Sequence, residues 1–562
     1  MTASRPRLAP SLGPHSAAQP HSSTSKSWKS PPLLGLLLLG ATTLTPVRAH
    51  AYAIDIHAEL SRQALGKAGL TATAAAISLP EADQTRQAID TFARNDASLK
   101  EAWVRRYPQA ADFDTFAFKQ FLQLSAGSQI YGIDRIDSVL AGATLLEITA
   151  RGASQPDEDF RNRERYAYDA KRQPLKDSQG ANLPADPALL NMGRLGALSS
   201  QAHAHYGLAK VEFSDDPDVL KKEPKRFAKK IGFANGPIMT LAAEMAQIHA
   251  DLALLAALSE GSTATERSWQ WTGQGFHYLQ DIGNQIHTVQ VGLFDFFMDA
   301  FTERLKLGLL TGGGYLGNMR SLGSIGIDIL TNHHTLSEEL TRKRVFAAKA
   351  GNDDADAKRL LAAPQQDDTD FAKKLDAALG TSPEQGEYAL AITRTLIDVS
   401  SDEGDDVYRA TRAIADPKLR SRNVRFDEDH DDPDMFIRKR TPDLEGSYVE
   451  FWALQERAFR RVGTALRRWV TLQQQAITAA QTPEQKAALR ATVTKRLITR
   501  QLKMLDEADA RLANYLSDPP KNVTAPERAP EILAIDVVLI GLGIGLPTWV
   551  LRRRKRQAAA KK

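Results

Sequence analysis

Between residues 54 and 515, apolar positions recur at helical spacing and runs of alternating β-branched residues are scarce. Ala, Leu, Gln and Arg dominate the stretch, and the pattern predicts an all-α, multi-helix body. Thr482-Pro483-Glu484-Gln485 offers an N-cap Thr, a Pro at the first helical position and a Gln placed to close a capping box, so 447–515 is predicted to be a helical hairpin broken there. Residues 151–190 are polar, with Pro, Asp and Asn, and read as a long loop. Residues 307–326 hold Gly308, Gly312, Gly313, Gly314, Gly317 and Gly323 with sparse charge, and read as a flexible loop or insertion. Asp427-Glu428-Asp429-His430-Asp431-Asp432 reads as a solvated loop, and its spacing does not fit an EF-hand.

Two apolar runs lie outside this body. Leu33 to Ala41 suits the apolar part of a secretory signal, and Ala49-His50-Ala51 or Ala51-Tyr52-Ala53 supplies an A-x-A cleavage site. Ile532 to Leu551 is apolar apart from Asp536, Pro547 and Thr548. At ~1.5 Å per residue such a helix spans roughly 30 Å, one hydrocarbon core. Trp549 suits the interface, and the basic cluster from Arg552 to Arg556 is expected on the cytoplasmic side. The same combination also resembles bacterial sorting tails that are later removed. The expected organisation is a signal peptide at 1–53, a helical domain at 54–400, a charged loop and hairpin extension at 401–525, and a linker, transmembrane helix and basic tail at 526–562. The body would be exported and held at the cell membrane by a single pass.

Composition narrows the chemistry. The net charge is +4, and the tail cluster from Arg552 to Arg556 accounts for five positive charges, so the body is near neutral and carries no strong nucleic-acid signature. The chain has no cysteine, which removes disulfides, thiolate metal sites and cysteine nucleophiles, so any metal must be held by His, Asp and Glu.

The informative stretch is Phe276-His277-Tyr278-Leu279-Gln280-Asp281-Ile282-Gly283-Asn284-Gln285-Ile286-His287. On a helix, His277 and Asp281 share one face a turn apart, and an imidazole and a carboxylate so placed can grip one divalent ion. Gly283 offers a place for the helix to end, after which His287 can turn back. His334 and Glu338 form a second pair four residues apart, and His57 falls on the first helix of the body.

Those segments, in that order, resemble the zinc-dependent phospholipase C and single-strand nuclease superfamily, whose central motif reads roughly H-[YF]-[LI]-G-D-x-x-Q-P-[LM]-H. The resemblance covers scattered segments of 54–340. It implies that His277 and Asp281 bind one zinc, that His287, His334 and Glu338 bind a second, and that His57 with Asp281 helps bind a third, giving one to three Zn²⁺ ions. It also implies a phosphodiesterase acting through water activated by the metal, with Asp281 bridging ions and Glu147 as a candidate to orient that water. Phospholipid is the favoured substrate class, because of the expected membrane tether, the "HYL" wording of the motif and the aromatic run Leu293-Phe294-Asp295-Phe296-Phe297-Met298. A single-strand nuclease and a non-catalytic membrane protein with a partial zinc site are the alternatives. The chain departs from the family pattern at several points. Gln280 replaces the motif's Gly and Gln285 its Pro, Ile148 follows Glu147 where an Asp is usual, and no Trp lies near the expected mature N-terminus. Tyr166 stands where a zinc-binding His is expected, leaving His203 or His205 as replacements.

Overall fold

The computed structural model describes residues 54–73, 142–163, 242–259, 264–288, 320–352, 354–380, 386–421 and 431–517, with single positions such as His205, Gly207, Asp299 and Glu303. All lie within one compact unit, Pro46–Lys562. The all-α expectation holds. Among the described residues there are helices, short 3-10 turns and two isolated bridges, Thr73 with Thr144 and Ala415 with Ile437, but no strand.

The helices are α1 (Ile54–Leu65), α2 (Leu145–Arg163), α3 (Ala242–Ala257), α4 (Ala264–Gly283), α5 (Arg320–Lys349), α6 (Ala355–Ala362), α7 (Thr369–Gly380), α8 (Tyr388–Ser401), α9 (Gly404–Ile414), α10 (Glu445–Ala479) and α11 (Pro483–Ser517). Helix α4 is the axis of the arrangement. Every residue from Glu266 to Gly283 is buried, with α3 and α2 packed along it. A helix buried all round is normally apolar all round. This one carries Gln270, Gln274, His277, Gln280 and Asp281, so its neighbours must satisfy polar groups as well as fill space. Gln274 donates to Gln155 Oε1 at 2.8 Å, and Thr272 donates to Gln473 Oε1 at 2.9 Å.

Close approach of α2 and α4 is secured by glycine on both sides. A Cβ on Gly152 would lie 2.6 Å from the Gln270 carbonyl oxygen, and one on Gly273 would lie 2.1 Å from that of Thr149. This crossing explains the first departure from expectation. Residues 151–163, read as the start of a loop, continue α2 despite Pro156. The proline forgoes the hydrogen bond to the Gly152 carbonyl, but Ala153, Ser154 and Gln155 are buried, and tertiary packing outweighs the lost rung. The second departure is that α5 begins at Arg320, inside the glycine-bearing stretch. Each helical glycine is unfavourable by about 1 kcal/mol relative to alanine, which the buried run from Asn332 to Thr341 offsets.

The hairpin forms where expected. Gln485 Oε1 accepts from the amides of Gln481 and Thr482 at 2.9 and 3.0 Å, and Thr482 Oγ1 accepts from the Gln485 amide at 3.2 Å, closing the capping box. The hairpin is no appendage. Phe451, Phe459, Val462, Leu466 and Trp469 of α10 recur at helical spacing and lie in the same core as α1, α3 and α4. Arg496 of α11 makes a buried ion pair with Asp251 of α3 at 2.5 Å. Described residues on both sides of position 400 thus share one hydrophobic cluster.

Asp432 caps the short turn Pro433–Phe436 and pairs with Lys343 at 2.6 Å. No helix among the described residues is long and apolar enough to cross a membrane. The expected signal at 1–53, the segment 532–551, the aromatic run 293–298 and Asp427–His430 lie outside the described residues.

The α2–α4 crossing makes a contrast that can be measured. Gly273→Ala is expected to destabilise the fold by roughly 1–3 kcal/mol through overpacking. Gly446→Ala, in the first turn of α10 with open space around it, should be neutral or slightly stabilising. Urea unfolding of both variants beside the wild type checks this, and equal midpoints would remove the crossing as a constraint.

Candidate metal centre

Two groups of ligand-type side chains are buried around α4 and the turn that follows it. The first contains His57 from α1 and His277 and Asp281 from α4, with three donor atoms all within 4.8 Å of one another. All three residues are fully buried. His277 Nε2 lies 3.3 Å from Asp281 Oδ2, and His57 Nε2 lies 3.4 Å from Asp281 Oδ1. The helical spacing of His277 and Asp281 thus does what the sequence implied, and α1 supplies the second imidazole from more than two hundred residues away.

The other nitrogen of each imidazole is held from behind. His277 Nδ1 is 2.8 Å from the Ala153 carbonyl oxygen of α2, which can only accept, so Nδ1 carries a proton and Nε2 is the nitrogen turned to the cluster. His57 Nδ1 is 2.7 Å from Gln280 Oε1.

His205 joins this group. Its Nδ1 is 2.6 Å from Asp281 Oδ2 and 2.9 Å from His277 Nε2. Of the two replacements considered for the missing family histidine, His205 is therefore beside Asp281, while His203 and Tyr166 lie outside the described residues. Gly207 helps seat the segment: a Cβ there would come within 2.5 Å of Ile397 of α8 and 2.6 Å of Ile282 of α4.

The second group is His287, His334 and Glu338, also buried and within 4.8 Å of one another. Helix α4 ends at Gly283, and a 3-10 turn, Gln285–Thr288, carries His287. His287 therefore leaves the α4 face and meets α5. His287 Nε2 and His334 Nε2 lie 3.0 and 2.9 Å from the same oxygen, Glu338 Oε1. Asn284 Nδ2 donates to that oxygen at 2.9 Å. The turn is anchored by Gln285, which donates to Glu403 of the α8–α9 junction at 3.1 Å and to the Leu454 carbonyl of α10 at 3.0 Å. Asn284 and Gln280 were not foreseen as site residues. The one available signal was that Gln280 and Gln285 depart from the resembled motif by placing carboxamides beside ligand positions.

Glu147 lies in a different setting from the buried groups. Expected near the cluster as a water-orienting base, it stands in the first turn of α2 with its side chain 47% exposed and accepts three hydrogen bonds from the Arg62 guanidinium at 2.9–3.1 Å. Its neighbour Ile148 is the residue turned into the core. The helical phase of α2 thus turns Glu147 outward to Arg62.

The first group, with His205, brings three imidazoles and a carboxylate into the interior, and the second brings two imidazoles and a carboxylate. An isolated buried carboxylate is costly, and a divalent cation is a direct way to offset it. Both groups can hold such an ion. His249 and His333 differ from these ligands. Each sets Nδ1 against the carbonyl four residues earlier, Met245 and Ile329, at 2.8 and 2.7 Å. Burial pushes the pKa of both down to about 4.

Two expectations follow from this geometry. His287→Ala should reduce metal content by the share of the second group alone and destabilise the metal-loaded fold by about 1–3 kcal/mol or more, since Glu338 loses a buried partner. Elemental analysis with a melting curve checks it, and unchanged values would exclude His287 as a ligand. The neutral His249 stabilises the fold above its unfolded pKa of about 6.5, and that contribution is lost as pH falls through the folded value of about 4. It amounts to on the order of 3 kcal/mol. The stability difference between the wild type and His249→Gln should accordingly shrink between pH 7 and pH 4, and a difference independent of pH would contradict the assignment.

Compared with models of known protein families, with curated proteins and with solved structures, the chain matches none, so the chemistry of the two groups carries the functional reading.

Proposed function

We propose that this protein is a zinc-dependent phosphodiesterase of the phospholipase C type, exported, tethered to the membrane by its C-terminal segment, and acting on phospholipids. The observation that carries the reading is the pair of buried His, His, carboxylate groups served by α4 and its following turn, with His205 beside Asp281. The donor set fits zinc. It is all nitrogen and oxygen, and ligands about 2.0–2.1 Å from a tetrahedral ion lie about 3.3 Å from one another. The separations of His277 and His57 from Asp281, 3.3 and 3.4 Å, match that edge, the 2.9 and 3.0 Å contacts to Glu338 are slightly shorter, and His205 at 2.6 Å from Asp281 is at hydrogen-bond distance.

His57, His277, Asp281 and His205 would hold one part of the metal centre, and His287, His334 and Glu338 the other. Zinc bound there would supply Lewis acidity and activate water at neutral pH. The residues of the chain contribute charge and orientation. Asp281 and Glu338 bring negative charge that balances the cation. The Ala153 carbonyl and Gln280 hold His277 and His57 from behind, and Asn284 fixes Glu338. Substrate preference rests on the expected membrane helix and the aromatic run at 293–298, both features of the sequence.

A second reading, a structural metal centre without catalysis, is favoured by the complete burial of His57, His277 and Asp281 and by the outward position of Glu147. Catalytic zinc needs a coordination position open to substrate, whereas structural sites are closed. Purified protein is expected to carry zinc by mass spectrometry and to release phosphorylated head group from phosphatidylcholine vesicles, with both lost after chelation and restored by zinc. Zinc without hydrolysis of lipid, single-stranded DNA or a chromogenic phosphodiester would favour the structural reading. Absence of metal from folded protein would sink both.

A further inference from the structure

We infer that Gln280 is a positioning residue that holds the His57 imidazole in its Nδ1–H tautomer and so presents the Nε2 lone pair to the first group. The inference rests on reading that group as a metal centre.

Three hydrogen bonds among Ser61, Gln280 and His57 close on His57. Ser61 Oγ donates to the His57 backbone carbonyl, one turn earlier on α1, at 3.0 Å. A hydroxyl has a single proton, so with that proton on the carbonyl, Ser61 Oγ faces α4 as an acceptor. Gln280 Nε2 donates to it at 2.8 Å. The carboxamide is thereby oriented, with its NH₂ on Ser61 and its oxygen on the imidazole. Gln280 Oε1 lies 2.7 Å from His57 Nδ1 and can only accept, so the proton is on Nδ1. Nε2 then lies on the Asp281 side, 3.4 Å from Oδ1, and carries the lone pair of the neutral imidazole.

The residues involved are deeply buried, with His57 and Gln280 fully so, and water therefore does not compete for these bonds. Gln280 does for His57 what the Ala153 carbonyl does for His277, so both imidazoles turn the same nitrogen to the group. The motif that this stretch resembles has Gly at position 280, which has no side chain to do this. Gln280 also precedes Asp281 directly, which fixes the orienting carboxamide and the carboxylate ligand to one short piece of helix. The opposite carboxamide orientation would put an N–H on His57 Nδ1 and the imidazole proton on Nε2, and amide orientation is open to direct experiment.

The test uses full-length protein with ¹⁵N-labelled histidine, together with competitive Zn²⁺ titration. In metal-free wild type, His57, assigned by comparison with His57→Gln, is expected to show protonated Nδ1 and unprotonated Nε2. Gln280→Leu, close in size but without polar atoms, should abolish that preference and weaken Zn²⁺ binding at the first group roughly ten- to a hundredfold. The second group should keep its affinity and serve as the internal reference. Gln280→Glu retains an acceptor at Oε1 and should restore both the tautomer and the affinity, which mere filling of space would not. Should Gln280→Leu fail to fold, Ser61→Ala removes the acceptor that orients the carboxamide and is expected to shift the tautomer in the same direction. An Nε2–H tautomer in wild type, or unchanged nitrogen shifts and affinity in Gln280→Leu, would overturn the inference. The shifts are read without metal, so a failure to bind Zn²⁺ in wild type would sink the metal reading separately.

Discussion

The carboxylate of Asp281 lies in the middle of the fold with no exposed surface, and the arrangement around it follows from that constraint. An ionised group so placed must be compensated by partners or by a cation, because desolvation is worth several kcal/mol. His57, His205 and His277 approach it from three separate parts of the chain. An imidazole that ligates a divalent ion does so through a ring-nitrogen lone pair. The first group therefore gathers around Asp281 side chains that could hold a metal ion. Asp251 makes the contrast, since it is just as deeply buried and is matched by the Arg496 guanidinium.

Bringing those ligands together requires α4 to be surrounded, and surrounding a polar helix requires close and specific packing. Glycines let α2 and α4 approach until backbone meets backbone, which carries the Ala153 carbonyl to His277. Helix α1 packs against α2 and α10, and ion pairs link it to α5, Asp55 with Arg342 at 2.8 Å and Glu59 with Lys349 at 2.6 Å. The hairpin closes the other side. Trp469 packs against Phe276 with rings 5.3 Å apart, directly beside His277 in sequence. The C-terminal helices thus support the candidate site although they donate no ligand to it.

The two groups also differ in construction. In the first, partners are spread over both Asp281 oxygens and the histidines are braced from behind. In the second, two imidazoles and an amide converge on one oxygen of Glu338 while the ligands ride on a 3-10 turn and on α5. The first is built on α4, which is buried from Glu266 to Gly283. The second depends on Gln285 tying the turn to Glu403 and Leu454.

What the sequence by itself determined is what depends on spacing within one helix or turn. The pairs His277 with Asp281 and His334 with Glu338 follow from the helical repeat, as do the end of α4 at Gly283 and the capping box at Thr482. Cysteine-free composition likewise limited the ligands to His, Asp and Glu. What only the tertiary structure decided is what depends on how distant helices are phased against each other. Glu147 and Ile148 are neighbours in sequence, yet one meets Arg62 at the surface and the other enters the core. Nothing local distinguishes His205 from His203, and nothing near Gln280 reveals that Ser61 and His57, about two hundred and twenty residues away, will be its partners. A helix fixes which residues share a face, but not which face is turned to which neighbour. That choice is made by packing across the whole core, here by the α2–α4 glycine contact and the enclosure of α4.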